Sequence, residues 1–270
     1  MKASIAVSEQ QVLKVLIYGD SGTGKTTWGA LCPEPMILLT EPQGRQAIAA
    51  ANPEAEIVFV RDYEHFYALL GEIQHARFVA GRGKVSVTND NGESEVIVFG
   101  SIIIDSLSDL HGMMVDHYKA DEPGQRDSMQ RWGQVQNTMK GVLGELRGLP
   151  TNVVALCLAC ETGGEGEPRR TLPDLYGGMK GKAAQFFNAV GYSVKKPGGH
   201  AVAWDIKSPA YISKRPPGSQ GVIPDLTYTV IGTPSGTLGS ILLAIYGETA
   251  PHNASDSAAG VNFEPAKETK

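Results

Sequence analysis

The sequence predicts an α/β fold: a mostly parallel central sheet with helices on both faces, a β-hairpin insertion, and antiparallel strands near the C-terminus. Three observations predict it. First, near-continuous apolar runs recur at 15–18 (VLIY), 36–39 (MILL), 101–105 (SIIID) and 152–160 (NVVALCLAC). Strands buried on both faces of a parallel sheet read this way. Second, segments with apolar residues at steps of three and four lie between several of them, as amphipathic helices require. Third, the first run leads straight into Gly19-Asp20-Ser21-Gly22-Thr23-Gly24-Lys25-Thr26-Thr27.

That stretch carries the G-x-x-x-x-G-K-[ST] spacing of a phosphate-binding loop. Glycines let the backbone curl until successive N–H groups point inward at phosphate oxygens. Lys25 can reach the β- and γ-phosphates as a point charge, and the Thr26 hydroxyl can ligate Mg²⁺. A helix opening at Lys25 would add its positive dipole end. The bland alternative is a Gly-rich turn that binds nothing, but a strand before the loop and a helix-compatible TTWGAL after it favour the nucleotide.

The elements follow in order. Residues 1–10 form a short arm in which Ile5 and Val7 alternate with polar neighbours, as an edge strand would. Residues 12–18 are the first core strand, and a helix over Lys25–Leu31 is broken by Pro33 and Pro35. Pro35–Thr40 is the second strand, ending in Glu41-Pro42-Gln43-Gly44, and Glu56–Val60 is the third. Asp62 is suited to cap a helix whose Phe66, Leu69, Leu70 and Ile73 share a face. At 83–99, KVSVT and EVIVF flank NDNGES and predict a hairpin. Ser101–Asp105 is the next core strand, with a helix over about 109–119 and a polar loop over 121–127. Met129, Trp132, Val135, Met139, Val142 and Leu146 predict a long amphipathic helix closed by Gly148 and Pro150. After the strand at 152–160, residues 161–178 read as a mobile Gly/Pro-rich loop and 179–188 as a short helix. GYSVKK, AVAWDIK, AYISKR and LTYTVI read as strands separated by turns, and 237–246 as a last helix. From 247 the composition is small and polar, the signature of a disordered tail.

With 270 residues, 41% of them apolar, the chain can bury one large core, and its net charge of −5 is ordinary. Mild acidity argues against a general nucleic-acid coat but allows a local basic patch. No run of 18 apolar residues predicts a membrane span, and the N-terminus lacks a signal-peptide pattern, so a cytoplasmic location is expected. Three cysteines suit a reducing compartment. Cys157 and Cys160 form a CxxC, but inside a strand positions i and i+3 face opposite sides, so both read as small buried residues. The histidines show no tight metal-ligand spacing.

Asp105 closes an apolar strand with a carboxylate, the arrangement that holds the nucleotide's Mg²⁺ in phosphate-loop NTPases. The competing role is a helix cap, by Asp105 or Ser106, in front of LSDL. Because Ser106 rather than Glu follows Asp105, the carboxylate that polarises water must come from elsewhere. Glu41, ending the second core strand, is the candidate; otherwise it is a solvated loop residue.

These residues carry a resemblance. A carboxylate after the second strand, IIIDS, and the polar Glu161 after the following strand resemble the RecA-like ATPase core. More narrowly, the chain is similar to the small phage-encoded RecA-like ATPases linked to single-strand annealing and recombination. YGDSGTGKTT, MILLTEPQG, SIIIDSLSDL, the RWGQVQNTMKGVLGELRGLPTNVVALCLACE block and LPDLYGGMKGKAAQFFNAVGYSV carry it over roughly 12–230. The resemblance implies a RecA-like P-loop NTPase domain over 11–246, with ATP and Mg²⁺ as cofactors. Gly19 to Thr27 would hold ATP, Glu41 would be catalytic, and Thr26 and Asp105 would hold Mg²⁺. Glu161 with Thr162 would sense the γ-phosphate. Loops at about 113–127 and 162–182 would face single-stranded DNA, with Arg169, Arg170, Lys180 and Lys182 as the basic residues of the second. Glu165, Glu167 and Asp174 reduce that loop's net charge. Lys214 and Arg215 would reach a neighbouring subunit's γ-phosphate, which requires self-association into a ring or filament; their bland reading is a solvated turn before Pro216-Pro217. A single-strand-binding protein is a further partner the resemblance leaves open. Two other functions stay open: a nucleotide or small-molecule kinase with Arg169 and Arg170 as lid arginines, and an ATP-gated replication loader or scaffold with little turnover.

Overall fold

A computed structural model describes residues 12–88, 92–120, 129–164, 166–197, 199–217, 228–230, 238–239 and 241. The expected edge strand at Ile5 and Val7, the polar loop at 121–127, the turn of the insertion hairpin and the tail from 247 lie wholly or mainly outside them.

The first strand, β1 (Lys14–Gly19), is fully buried and is followed by α1 (Lys25–Ala30). β2 (Pro35–Leu39) and β3 (Glu56–Phe59) flank α2 (Gly44–Ala51). That helix was not foreseen: only Ile48 is buried, so its sequence lacks an apolar stripe long enough to show. Asp62 caps α3 (Tyr63–Gln74) as expected, accepting from the His65 N–H at 2.8 Å. The insertion is a three-stranded antiparallel sheet rather than a bare hairpin: β4 (Arg77–Val79), β5 (Arg82–Thr88) and β6 (Ser94–Phe99). Then come β7 (Ser101–Asp105), α4 (Leu107–Ala120), α5 (Met129–Gly148) and β8 (Asn152–Thr162). Met129, expected on the apolar face of α5, is exposed because the helix begins there, six residues before its first buried apolar residue, Val135.

The segment 161–178 is not a loop throughout. β8 runs on to Thr162, and β9 (Arg170–Pro173) folds back antiparallel against Ala159–Thr162. Backbone pairing, invisible to composition, orders this Gly-rich stretch. α6 (Met179–Lys182) continues as a 3₁₀ turn over Ala183–Phe186, then β10 (Ala189–Lys196), β11 (Gly199–Ala203) and β12 (Tyr228–Val230) follow. AYISKR is not a strand: Tyr211 and Lys214 each make one isolated bridge, to Thr171 and Val190. Of the expected last helix, residues 238, 239 and 241 are helical, with Leu238 and Ile241 buried.

The main sheet has the order β12-β11-β10-β1-β8-β7-β2-β3. From β10 to β3 every pairing is parallel, and β11 and β12 add antiparallel strands at one edge. Period-two alternation splits the core between its faces. Leu16, Tyr18, Ile102 and Ile104 pack under α3, α4 and α5. Val15, Ile17 and Ile103 pack with Trp28 of α1 and Ile48 of α2. Both faces are therefore covered, which is why the central strands read as unbroken apolar runs.

Gly191 of β10 is held to glycine by packing: a Cβ would lie 2.3 Å from Val202 Cγ1 and 2.9 Å from Trp204 Cζ3. Trp204 in turn meets Trp28 with ring centroids 6.1 Å apart, so crowding here reaches the helix behind the phosphate loop. Gly191→Ala is expected to destabilise the fold by about 1–3 kcal/mol through overpacking. A thermal melt checks it, at roughly 2–4 °C per kcal/mol for a domain of this size.

Candidate nucleotide-binding site

The carboxyl ends of the parallel strands line one edge of the sheet. Gly19 is level with Leu158 of β8 and Ser193 of β10, and Asp105 is level with Leu156 of β8 and Leu39 of β2. β8 thus separates the phosphate-loop strand from the Asp105 strand. A parallel sheet opens its ligand crevice at this edge.

The loop has the curled backbone its glycines predict: Gly22 and Gly24 take φ of 73° and 84°, left-handed values that suit glycine. Gly24 is also tightly covered, since a Cβ there would stand 2.9 Å from Cγ of His200 on β11. Lys25 is 9% exposed, and its ammonium donates to the carbonyls of Gly19 at 2.8 Å and Asp20 at 2.7 Å. Burial lowers its pKa, and the nearby carboxylates of Asp105 and Asp20 oppose that. Thr23 donates to Asp20 O at 2.8 Å, and Ser193 Oγ donates to Thr23 O at 2.8 Å, pinning the loop to β10. The curled, glycine-lined backbone with a buried cation at its mouth fits a polyphosphate.

Thr26 donates a hydrogen bond to the Asp105 carboxylate, so the two expected Mg²⁺ ligands stand together. Burial raises the Asp105 pKa, while the Thr26 hydrogen bond and Lys25 hold it down. The capping question has a clear answer. Ser106 Oγ accepts from the Asp109 N–H at 3.2 Å and so caps α4, leaving Asp105 free to face the loop. The Asp105–Ser106 peptide is cis. Among the described residues no group of three or more His, Cys, Asp and Glu side chains is gathered to hold a metal. Thr26 and Asp105 would be the residues to hold the Mg²⁺ of a bound nucleotide.

Glu41 stands just after β2, exposed, and its strongest electrostatic partner is Asp109, which sequence reasoning missed. The Glu41 carboxyl is raised above the ordinary glutamate range by the charge of Asp109, then by desolvation, a hydrogen bond with Asp109 and the charge of Asp105. Asp109 accepts from Ser106 Oγ in a short hydrogen bond. Thr40 Oγ1 donates to Asp105 O at 3.0 Å and accepts from the Ser106 N–H at 2.8 Å, locking β2 to β7 beside the site. The S-x-x-D spacing of Ser106 and Asp109 carried the signal for this pair.

The remaining candidates stand away from the loop. Glu161 is exposed, three residues along β8 beyond the partner of Gly19, or about 10 Å at the usual strand rise. Arg169 and Arg170 are exposed on the β8–β9 hairpin, and Lys182 is exposed on α6. Lys180 hydrogen-bonds the Cys160 thiol. Cys160 is only partly buried, unlike Cys157, because it lies where β8 leaves the main sheet. Lys214 exchanges backbone hydrogen bonds with Val190, level with Leu16, and its Nζ donates to Phe187 O at 2.9 Å. It therefore points away from this chain's own phosphate loop. Arg215 follows it there. Two further residues had no readable signal: His200, over Gly24, and Trp132, whose ring meets Tyr176.

No helix among the described residues is long and apolar enough to cross a membrane. No curated protein matches the chain. Among solved structures it is similar to the crystal structure of the RadB recombinase, at 14% identity and a TM-score of 0.38, covering 71% of this chain and 79% of that one. The AAA domain family matches residues 11–215, from before β1 to the Lys214–Arg215 turn. With that match spanning most of its length, the chain belongs to the AAA domain family, whose members are nucleoside-triphosphate-binding P-loop proteins.

Proposed function

We propose that this chain is a magnesium-dependent, RecA-like ATPase that binds single-stranded DNA and assembles on it with copies of itself, in phage recombination, annealing or replication. The observation that carries the reading is the meeting of Lys25, the Thr26–Asp105 pair and the Glu41–Asp109 pair at one edge of the sheet. Gly19 to Thr27 would hold the triphosphate, and Thr26 and Asp105 would hold Mg²⁺, which would supply Lewis-acid stabilisation of the γ-phosphate. Glu41 accepts a proton from water lined up with that phosphate. Glu161 lies on the same strand extension as the Arg170 hairpin, and so links the phosphate end of β8 to the DNA-facing segment. Lys214, turned away from its own loop, and the adjacent Arg215 serve a neighbour's site. Such a protein works in the cytoplasm.

Steady-state ATP hydrolysis, measured across protein concentration with and without oligo(dT), tests this reading. Stimulation by DNA and activity per subunit that rises with concentration are the expected results. Hydrolysis indifferent to both would overturn it. Mixing Lys214→Ala with Lys25→Ala protein is expected to restore part of the activity that each lacks alone, because a mixed interface pairs an intact loop with an intact Lys214. Absence of rescue removes the trans role.

One observation favours a second reading, a kinase. A pocket next to Pro42 has a mainly apolar wall that includes Leu39, Ile57 and Phe59, with Arg45, His65 and Glu95 as the polar groups that could meet a phosphate acceptor. Transfer of phosphoryl from ATP to an added nucleoside monophosphate would identify it.

A further inference from the structure

The segment after β9 carries an aromatic pair that the nucleotide chemistry does not use. Tyr176 is 45% exposed although aromatic, and the Trp132 ring of α5 lies beside it, centroids 5.8 Å apart and planes 32° from parallel. Beneath them His111 of α4 is fully buried and meets Tyr176 edge-on at 5.2 Å. His111 Nδ1 accepts the Tyr176 backbone N–H at 3.1 Å, which assigns the ring proton to Nε2; that atom is buried without a hydrogen-bond partner among the described residues. The imidazole is kept neutral by burial, its pKa lowered to about 4. A polar ring spent on one backbone N–H fixes the place of Tyr176. On the other side, Gln136 of α5 approaches so closely that a Cβ on Gly177 would stand 2.8 Å from its Nε2. Tyr176 is thus held from both helices, with its ring left open. Cations stand nearby in the chain: Lys182 Nζ lies 3.9 Å from where a Cβ on Gly178 would be, and Lys180 follows Tyr176 by four residues, in the helix that the turn at Gly177 and Gly178 leads into.

We propose that Tyr176, backed by Trp132 and seated on His111, is a stacking platform for a base of single-stranded DNA, with Lys180 and Lys182 taking the adjacent phosphates. The inference rests on the DNA-binding reading above and names its base-contacting residue. An exposed ring beside ammonium groups suits single strands, whose bases present π-faces and whose backbone is anionic. A duplex hides those faces in its stack. Because His111 is in the second turn of α4, which Ser106 caps beside Asp105, the platform and the nucleotide site share one helix.

Oligo(dT) binding by fluorescence anisotropy, on the full chain with ATP and Mg²⁺, tests it. Tyr176→Ala is expected to weaken binding by roughly 5- to 150-fold, the range of stacking one base on an aromatic ring, while Tyr176→Phe binds as the wild type does. The same strand made abasic should bind the wild type and Tyr176→Ala equally, a result that mere unfolding of the segment would not give. An ATP-induced thermal shift equal to wild type shows that the variant is folded. If the wild type binds oligo(dT) and Tyr176→Ala binds it as tightly, the platform is overturned and the DNA-binding reading survives. If the wild type binds no single strand, both fall.

Discussion

Lys25→Ala is expected to lower ATP hydrolysis by at least about a hundredfold, the scale on which removing one preorganised charge donor acts on kcat. The argument rests on where the ammonium stands. It is buried at the mouth of the loop and now satisfied by the carbonyls of Gly19 and Asp20. A triphosphate would enter a site where burial makes each Coulomb interaction stronger than in water. No methyl group can replace that charge. The fold should survive, because β1 and α1 are held by their own apolar packing of Leu16, Ile17 and Trp28 rather than by Lys25. Phosphate release at saturating MgATP, with a thermal melt as control, checks both halves. Normal turnover by a folded variant would sink the phosphate-loop assignment.

Glu41→Gln is expected to leave ATP binding intact and slow hydrolysis by at least about a hundredfold. The amide keeps the shape of the side chain but accepts no proton. The structure adds a pH signature. Asp109 is the first cause that raises the Glu41 carboxyl above its ordinary range. A base works only when deprotonated, so kcat/KM should fall as pH drops through that raised value. Asp109→Asn removes the negative neighbour, lowers the Glu41 pKa and should move the acid limb to lower pH. Since kcat/KM reports the free enzyme, its pH profile is the measurement to make. An unmoved limb in Asp109→Asn would show that the limb belongs to another group, and unchanged turnover in Glu41→Gln would remove Glu41 as the base.

Much of the fold was legible because its signals are local. Apolar runs named β1, β2, β7 and β8, the cap at Asp62 named α3, and the flanks of the NDNGES turn named the two long strands of the insertion. What stayed hidden depends on partners distant in sequence. The β9 pairing with Ala159–Thr162 ordered a stretch whose glycines read as loop, and isolated bridges to Thr171 and Val190 replaced a strand expected at AYISKR. The short helix α2 buries one side chain, too few to show a period.

The site divides along the same line. Sequence alone determined the phosphate loop, because curling a backbone around phosphate demands glycines at set spacing, and it named Asp105 and Glu41, because strand ends in a parallel sheet share one edge. Only the tertiary structure decided which carboxylate Glu41 faces, that Ser106 rather than Asp105 caps α4, and that Lys214 turns from its own loop. It alone brought Trp132, Tyr176 and His111 together from three segments. Spacing encodes what one turn of backbone must do; contacts between residues 44 to 68 positions apart are set by packing, and no local pattern records them.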